Sequence, residues 1–213
     1  MNVGGVDLGS IELDNSDFVL PDVVPGRYLN GDGDIYAYNC AGNDDTSREE
    51  VINNLEREVR NKMQLAGADH YHLQITADGS CKGNRHNFAC VKEYQGNRND
   101  KPKPKNLAFA RNYILQSMNS TPNHDQEADD GLAQFQQRYI DRGEEHLCVL
   151  DSADKDLRMC GGLHLDPDNG AIVEVSGYGS CEWNAEKNKV QGWGHSFFWH
   201  QVLMGDTADA IPG

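Results

Sequence analysis

The hydrophobic positions of residues 46–66 recur at helical spacing. Apolar side chains stand three or four residues apart along this stretch, at Val51, Leu55, Val59, Met63 and Ala66. Such spacing puts them on one face of a helix. Thr46 or Ser47 precedes the first turn as an N-cap candidate, and acidic residues follow it, as is typical of a helix start. The pattern predicts one amphipathic helix over residues 46–66.

The other segments alternate between strand and helix patterns. Residues 71–75 and the apolar run 146–151 predict strands, the second of them buried and parallel to its neighbours. Residues 106–118 and 126–142 predict helices, and a polar excursion at residues 177–189 suggests a hairpin before an aromatic last helix. This order predicts an α/β fold with a central, mainly parallel sheet flanked by helices, whose strand ends gather the ligands.

The chain divides into an acidic N-terminal extension and one catalytic domain. Residues 1–26 are aperiodic, and we expect them to be flexible and to lie outside the core. Residues 27–213 have a length suited to a single domain. Within them, residues 78–105 are polar, rich in Gly and Asn, and basic at their end. Because ordinary connections are shorter, we expect a functional loop or helical arch there.

Composition excludes several classes of protein. Six cysteines occur without a C-x-x-C pair, which argues against a zinc ribbon or a thioredoxin-like site. No secretory leader and no apolar run of about 18 residues is present, so we expect a soluble cytoplasmic protein without membrane contact. The formal charge of -15 argues against nucleic-acid binding by the whole surface. A local basic strip over residues 92–105 nevertheless provides cations for phosphate.

Short acidic motifs stand where strands end or helices begin, at residues 31–34, 127–130, 151–156 and 205–209. Gathered carboxylates repel one another unless cations or protons neutralise them. Since all-oxygen ligands suit Mg²⁺ or Mn²⁺, the motifs together predict a divalent-metal site. Each motif alone also has an ordinary explanation, because Asp32 or Asp129 can cap a helix and Asp154 can open a turn.

The order of these motifs resembles the phage and bacterial 5'→3' exonuclease family, which includes flap endonucleases and the 5'-nuclease domain of DNA polymerase I. The resemblance runs from residue 28 to residue 213. Its most specific segments are residues 93–98 with 101–105, 127–130, 152–157 and 206–213. The last segment is similar to the family's Asp-x-x-Asp-Asn-Ile-Pro-Gly, with Ala210 in place of Asn.

The resemblance implies a catalytic site with two Mg²⁺ ions, for which Mn²⁺ can substitute. It assigns the first ion to Asp32, Asp78, Glu127 and Asp129. It assigns the second to Asp130, Asp154, Asp156, Asp206 and Asp209, some of them through water. If residues 206–209 are helical, Asp206 and Asp209 share a face, as Glu127 and Asp130 do.

The same resemblance implies a DNA-contacting arch. It places Lys92 and Arg98 near the scissile phosphate as catalytic cations, and Tyr94 either stacks on a base or packs under the loop. The remaining expected DNA contacts are Gln95, Lys101, Lys103 and Lys105. Gln95 stands where the family usually has lysine, and the chain ends before the family's helix-hairpin-helix.

We therefore expect a metal-dependent 5'→3' exonuclease or flap endonuclease of phage DNA replication or repair. Its partners would be DNA with free 5' ends, flaps or junctions, and RNA primer strands, and the protein would act as a monomer in the cytoplasm of the host cell. One alternative is a PIN-like ribonuclease, which shares the acidic sheet edge. The other is an inactive DNA-binding remnant, favoured by Gln95 and the charge of -15.

Overall fold

The computed structural model describes residues 2–3, 6–7, 20–87, 102–206 and 211–212. Its strands are β1 (Asn2–Val3), β2 (Val6–Asp7), β3 (Val24–Asp32), β4 (Ala68–Thr76), β5 (Ser120–Asn123), β6 (Cys148–Asp151), β7 (Gly162–Leu165), β8 (Ile172–Val175), β9 (Ser180–Asn184), β10 (Lys189–Trp193), β11 (Gly205–Asp206) and β12 (Ile211–Pro212). Its helices are α1 (Gly33–Cys40), α2 (Arg48–Ala66), α3 (Leu107–Ser117), α4 (Ala128–Ile140) and α5 (Gly194–Met204). Short 3-10 turns cover Lys82–Asn87, Glu145–Leu147 and Lys155–Met159.

The central sheet has six strands in the order β5-β4-β3-β6-β7-β8. Every neighbouring pair is parallel except β7 and β8, which are antiparallel. The remaining strands form three antiparallel pairs, β1 with β2, β9 with β10, and β11 with β12. The predicted α/β architecture with a mainly parallel sheet is confirmed.

Helices cover both faces of this sheet. Leu29 of β3 packs with Ala66 of α2, whereas the side chain of the next residue, Asn30, donates to the carbonyl of Leu132 in α4 at 2.9 Å. Successive side chains of a strand point to opposite faces, so α2 and α4 lie on opposite sides. Helices α1 and α3 join α2 around a core that includes Tyr36, Val51, Leu55, Leu73 and Ile114.

Helix α2 confirms the clearest periodicity of the sequence. Ser47 is its N-cap and forms a capping box with Glu50, and Gly67 ends it in the left-handed conformation (φ 57°). The predicted helices at 106–118 and 126–142 correspond to α3 and α4, and the predicted strands to β4 and β6. The suggested hairpin is β9 and β10.

The structure differs from other expectations or does not describe the residues they concern. The sheet begins at Val24, inside the segment expected to be an extension. Half of the expected arch, residues 88–101, lies outside the described residues. Residues 205–206 form strand β11, and residues 207–209 lie outside the described residues, so the helical arrangement considered for 206–209 is not met at Asp206. In the described ranges, no helix has both the length and the hydropathy needed to cross a membrane.

Candidate metal and phosphate site

The site lies at the carboxyl ends of the neighbouring strands β3 and β6. Asp32 is the last residue of β3, and its predecessor Gly31 pairs with Asp151 at the end of β6. Asp32 is 3% exposed. Its Oδ1 accepts hydrogen bonds of 3.0 Å from the backbone N–H groups of Asp34 and Ile35, so Asp32 also caps α1. The helix cap fixes this carboxylate at the sheet edge.

A serine connects Asp32 to the turn that follows β6. Ser152 Oγ donates to Asp32 Oδ2 at 3.0 Å and accepts from the backbone N–H of Asp154 at 3.1 Å. Asp154 Oδ1 in turn accepts from the backbone N–H of Asp156 at 2.9 Å. This chain of hydrogen bonds sets the position of Asp154 relative to Asp32.

The N-terminus of α4 brings further carboxylates to the same edge. Glu127 is the N-cap residue, and its backbone N–H donates to Asp130 Oδ2 at 3.1 Å. The backbone N–H of Ala128 donates to Thr76 Oγ1 at the end of β4 at 3.0 Å, which holds the helix start against the sheet. Acidic residues in a first turn interact favourably with the helix dipole.

Three of these carboxylates, Asp32, Asp129 and Asp154, act on one another electrostatically, and we call them the central acidic cluster. Burial, followed by repulsion from Asp34 and Asp154 among other contributions, raises the pKa of Asp32 to about 6. Burial, followed by repulsion from Asp32, Asp154 and two further acids, raises the pKa of Asp129 to about 8. A cation at this cluster would relieve that repulsion.

The carboxylates around this cluster are paired with basic side chains. Arg85 contacts Glu127 through Nη1 and Asp130 through Nη2, the latter at 2.8 Å. Lys82 Nζ lies 3.4 Å from Glu127 Oε1. Lys82 and Arg85 therefore offset the negative charge of Glu127 and Asp130 at the start of α4.

A third basic side chain also lines the cleft. Arg111 of α3 contacts Asp34 and the carbonyl of Thr76, and its Nη2 lies 3.5 Å from Asp78 Oδ1. The side chain of Asp78 is 92% exposed, so this last contact is weak. Arg111 therefore ties α3 to the end of β4 rather than neutralising the central acidic cluster.

The carboxylates and the basic side chains border one open cleft of about 900 Å³. Its lining includes the expected site residues Asp32, Asp78, Glu127, Asp129, Asp130, Asp154, Asp156 and Lys103. It also includes Lys82, Arg85 and Arg111. Acidic and basic side chains therefore line one cavity. The acids suit a divalent cation and the basic side chains suit a phosphate group beside it.

One expected site residue lies away from the cleft, and others fall outside the described residues. Lys105 Nζ donates to the carbonyl of Asp44 at 3.2 Å and is not part of the cleft lining. Of Asp206, only the backbone in β11 is described. The other expected contacts fall outside the described residues, namely Lys92, Tyr94, Gln95, Arg98, Lys101 and Asp209.

The central acidic cluster contains members of both expected ligand sets. Asp32 and Asp129 were assigned to one ion and Asp154 to the other, yet these three form the central acidic cluster. Within the part of the chain that the structure describes, no three His, Cys, Asp or Glu side chains already stand as a metal-binding group. The donor atoms are all carboxylate or hydroxyl oxygens, and this chemistry fits Mg²⁺ or Mn²⁺.

Sequence reasoning did not predict which side chains pair with these acids, although Arg85 and Arg111 flank the basic strip. Ser152 directly follows the apolar strand β6, a position that itself predicts a place at the sheet edge. Lys82 and Arg85 belong to a Lys-Gly-Asn-Arg segment at 82–85, whose last three residues recur in Gln-Gly-Asn-Arg at 95–98. That repetition is the signal that could have identified the first segment.

Comparison with solved structures finds this fold in bacteriophage T5. The T5 D15 protein co-crystallised with metal ions aligns with a TM-score of 0.53 and 14% identity, covering 88% of this chain and 69% of that chain. A T5 flap endonuclease in a pseudo-enzyme–product complex with DNA and metal ions aligns with the same TM-score, 15% identity and the same coverage. No family model and no curated protein sequence matches the chain. The likeness establishes a shared flap endonuclease-like fold.

Proposed function

We propose that this chain is a metal-dependent nuclease that hydrolyses DNA phosphodiester bonds as a 5'→3' exonuclease or flap endonuclease. The observation that carries the proposal is the central acidic cluster at the carboxyl edge of β3 and β6. In open α/β sheets this edge is where ligands bind. The flap endonuclease-like fold supports the proposal, since both aligned T5 structures contain metal ions and one contains DNA.

The residues present fit one or two divalent cations. Asp32, Asp129 and Asp154 would hold the first, because burial and mutual repulsion raise the pKa of Asp32 to about 6 and that of Asp129 to about 8. Asp78, Glu127, Asp130 and Asp156, which line the cleft, would complete the site. We propose that Asp206 and Asp209 also serve the metal. When bound, Mg²⁺ supplies Lewis acidity, a more acidic water and charge for the leaving oxygen.

The protein's own groups account for the other requirements of the reaction. Ser152 and the α1 cap hold Asp32 in one orientation, which limits reorganisation when charge develops. Lys82, Arg85, Lys103 and Arg111 line the same cleft and provide cations for phosphate. A local cationic wall of this kind lets a chain with a net charge of -15 bind DNA.

The arch would extend this wall over the substrate. We propose that Lys92 and Arg98 approach the scissile phosphate, and that Gln95, Lys101 and Lys105 contact the DNA backbone. Tyr94 would stack on a base near the 5' end. The glutamine at position 95 removes one charge from this surface and would weaken DNA binding relative to a lysine.

The proposed substrates are DNA with free 5' ends, flaps or junctions, and RNA primer strands. Such an enzyme would serve phage DNA replication or repair in the host cytoplasm, acting as a monomer. A PIN-like ribonuclease would use the same acidic edge on RNA. The shared fold with a flap endonuclease favours the DNA enzyme.

The test is a panel of labelled substrates incubated with the protein in Mg²⁺, in Mn²⁺ and in EDTA. The panel contains a 5'-labelled flap, a blunt duplex, a gapped duplex with an RNA primer, and single-stranded RNA. We expect metal-dependent cutting of the flap near its junction, cutting of the RNA primer, and no cutting in EDTA.

The Asp154→Ala/Asp156→Ala double variant separates the protein's activity from contamination. Loss of flap cutting in the folded double variant supports the nuclease. Cutting of single-stranded RNA alone would replace the proposal with the PIN-like ribonuclease. A folded wild-type protein that cuts nothing in any metal would contradict the enzyme and favour the inactive DNA-binding remnant.

A further inference from the structure

The segment that carries Arg85 has an unusual backbone. Lys82 (φ 50°), Gly83 (φ 65°) and Asn84 (φ 58°) are consecutive left-handed residues. Non-glycine residues in this region cost free energy and persist where surrounding contacts hold them. Those contacts exist, since the N–H of Gly83 donates to the carbonyl of Asp125 at 2.8 Å. The backbone is therefore fastened to the loop that precedes α4.

This backbone delivers two cations to the start of α4. Arg85 is bound through both terminal nitrogens, to Glu127 and to Asp130, and Lys82 reaches the other oxygen of Glu127 at 3.4 Å. A guanidinium fork fits two carboxylates better than an ammonium group does. The two carboxylates are held close to one cation before any ligand enters the cleft.

The central acidic cluster is different. No ion pair found among the described residues involves Asp32, Asp129 or Asp154. The site therefore contains two kinds of carboxylate. Those of the central acidic cluster form no ion pair among the described residues, whereas Glu127 and Asp130 are already paired with Arg85. A divalent cation that binds Glu127 or Asp130 must compete with Arg85 for these carboxylates. A cation that binds the central acidic cluster has no such competitor among the described residues.

We propose that Arg85 and a divalent cation compete for Glu127 and Asp130, so that metal binding displaces the guanidinium into the cleft. The proposal rests on the metal site of the proposed function and adds a positioning residue to it. Before metal binds, Arg85 keeps the two acids close to their positions and limits their repulsion. After exchange, the same guanidinium adds positive charge on the side of the cleft that faces phosphate. Metal loading and anion binding are thereby coupled through one side chain.

The test measures Mn²⁺ affinity by isothermal titration calorimetry at constant ionic strength. The proteins compared are the wild type, Arg85→Gln, Arg85→Lys and Lys82→Gln. Arg57→Gln is the matched control, because Arg57 is an exposed residue of α2 that donates to Asn54 Oδ1 at 2.7 Å and does not line the cleft. Circular dichroism checks the fold of each variant.

Competition predicts tighter binding when the competitor is removed. Arg85→Gln is expected to bind Mn²⁺ about two- to fivefold more tightly than the wild type, the range given by the strength of a partly exposed ion pair. Arg85→Lys falls between them, because lysine keeps the charge without the fork. Lys82→Gln should also bind Mn²⁺ more tightly than the wild type, by a smaller factor. If the Arg85 variants do not fold, the Mn²⁺ affinity of Lys82→Gln tests the competition instead. Arg57→Gln matches the wild type.

Two results would overturn the inference in distinguishable ways. Equal or weaker Mn²⁺ binding by folded Arg85→Gln would show that Arg85 only braces α4, leaving the metal site of the proposed function intact. Absence of Mn²⁺ binding in the wild type and every variant would contradict the inference and the metal-dependent function together. A side-chain ¹⁵N spectrum gives a second readout, in which Mg²⁺ shifts the Arg85 Nε signal and leaves that of Arg57 in place.

Discussion

Ser152 Oγ donates a hydrogen bond of 3.0 Å to Asp32 Oδ2, and so joins the ends of the two central strands of the sheet. Asp32 ends β3, while Ser152 is the first residue after β6. The same hydroxyl accepts from the backbone N–H of Asp154. One small side chain thus fixes two members of the central acidic cluster, although it carries no charge itself.

Replacing this serine tests its organising role. Ser152→Ala removes a buried donor from Asp32 and is expected to lower the free energy of unfolding by about 1 kcal/mol, the usual contribution of one hydrogen bond. It should also weaken Mn²⁺ binding about tenfold, as loss of a residue that orients a ligand does. Urea titration and calorimetry measure the two effects. Ser120→Ala is the control, since Ser120 Oγ donates to the Ile114 carbonyl away from the cleft, and equal Mn²⁺ affinities in both variants would contradict the role of Ser152.

The raised pKa of Asp129 predicts how stability depends on pH without metal. Burial and nearby carboxylates raise this pKa from 3.8 to about 8, so the folded protein keeps a proton that the unfolded chain releases near pH 4. The stabilisation is fully present at low pH and is lost as pH rises through 8. Melting in EDTA should therefore show the wild type losing stability between pH 6.5 and 8.

Asp129→Asn isolates that contribution. Its melting temperature should change less than that of the wild type over this range, because asparagine carries no titrating proton. Asp32 adds little here, since its pKa is raised only to about 6. Burial lowers the pKa of His164 to about 4, so its folded form is neutral throughout the range. Parallel pH profiles for the two proteins would show that Asp129 is not protonated in the folded state.

A buried cluster beneath the site should affect stability alone. Asp151 is 3% exposed and accepts hydrogen bonds from the hydroxyl of Tyr36 and from Lys62 Nζ, the second at 3.2 Å. Tyr36→Phe leaves one side of a buried carboxylate without its donor. The expected loss in unfolding free energy is about 1–3 kcal/mol.

Comparison with an exposed tyrosine makes this prediction specific. Tyr113→Phe removes an exposed hydrogen bond to Glu56 and should change unfolding free energy by less than about 0.5 kcal/mol. Both variants should keep wild-type Mn²⁺ affinity. Weaker metal binding by Tyr36→Phe would place Asp151 within the metal-binding machinery instead of the supporting core.

The sequence predicted the elements that have strong periodicity and clear boundaries. Helix α2 was predictable because its apolar face, its capping box and the glycine after it agree. Asp32 was predictable because its Gly-Asp-Gly-Asp motif at residues 31–34 resembles the end of the family's first strand. The short strands β5, β7 and β8 were not predicted, since each has only four residues and none lies in a continuous apolar run like the one that identified β6.

The partners of the acids depend on tertiary contacts that sequence spacing does not encode. Arg85 and Glu127 are 42 positions apart, and Ser152 and Asp32 are 120 apart. The requirement for glycine at position 33 also depends on a tertiary contact. A Cβ there would lie 2.7 Å from the carbonyl oxygen of Gln74 on the neighbouring strand, and the sequence alone does not show that approach. The acidic motifs identify the site, whereas its pairing with cations requires the folded chain.

The most direct test of the central claim is the single-turnover rate of cutting a 5'-labelled flap at saturating Mg²⁺. We would compare the wild type with Asp129→Asn and Asp154→Asn. Asp168→Asn is the matched control, because Asp168 pairs with Lys187 at 2.6 Å away from the cleft lining. The account predicts a rate loss of at least about 100-fold for each cluster variant. Losing a residue that only supports a metal ligand costs up to about 100-fold, and losing a direct ligand should cost at least as much. The control should cut at the wild-type rate, and folded cluster variants that also cut at that rate would contradict the assignment of the reaction to this edge of the sheet.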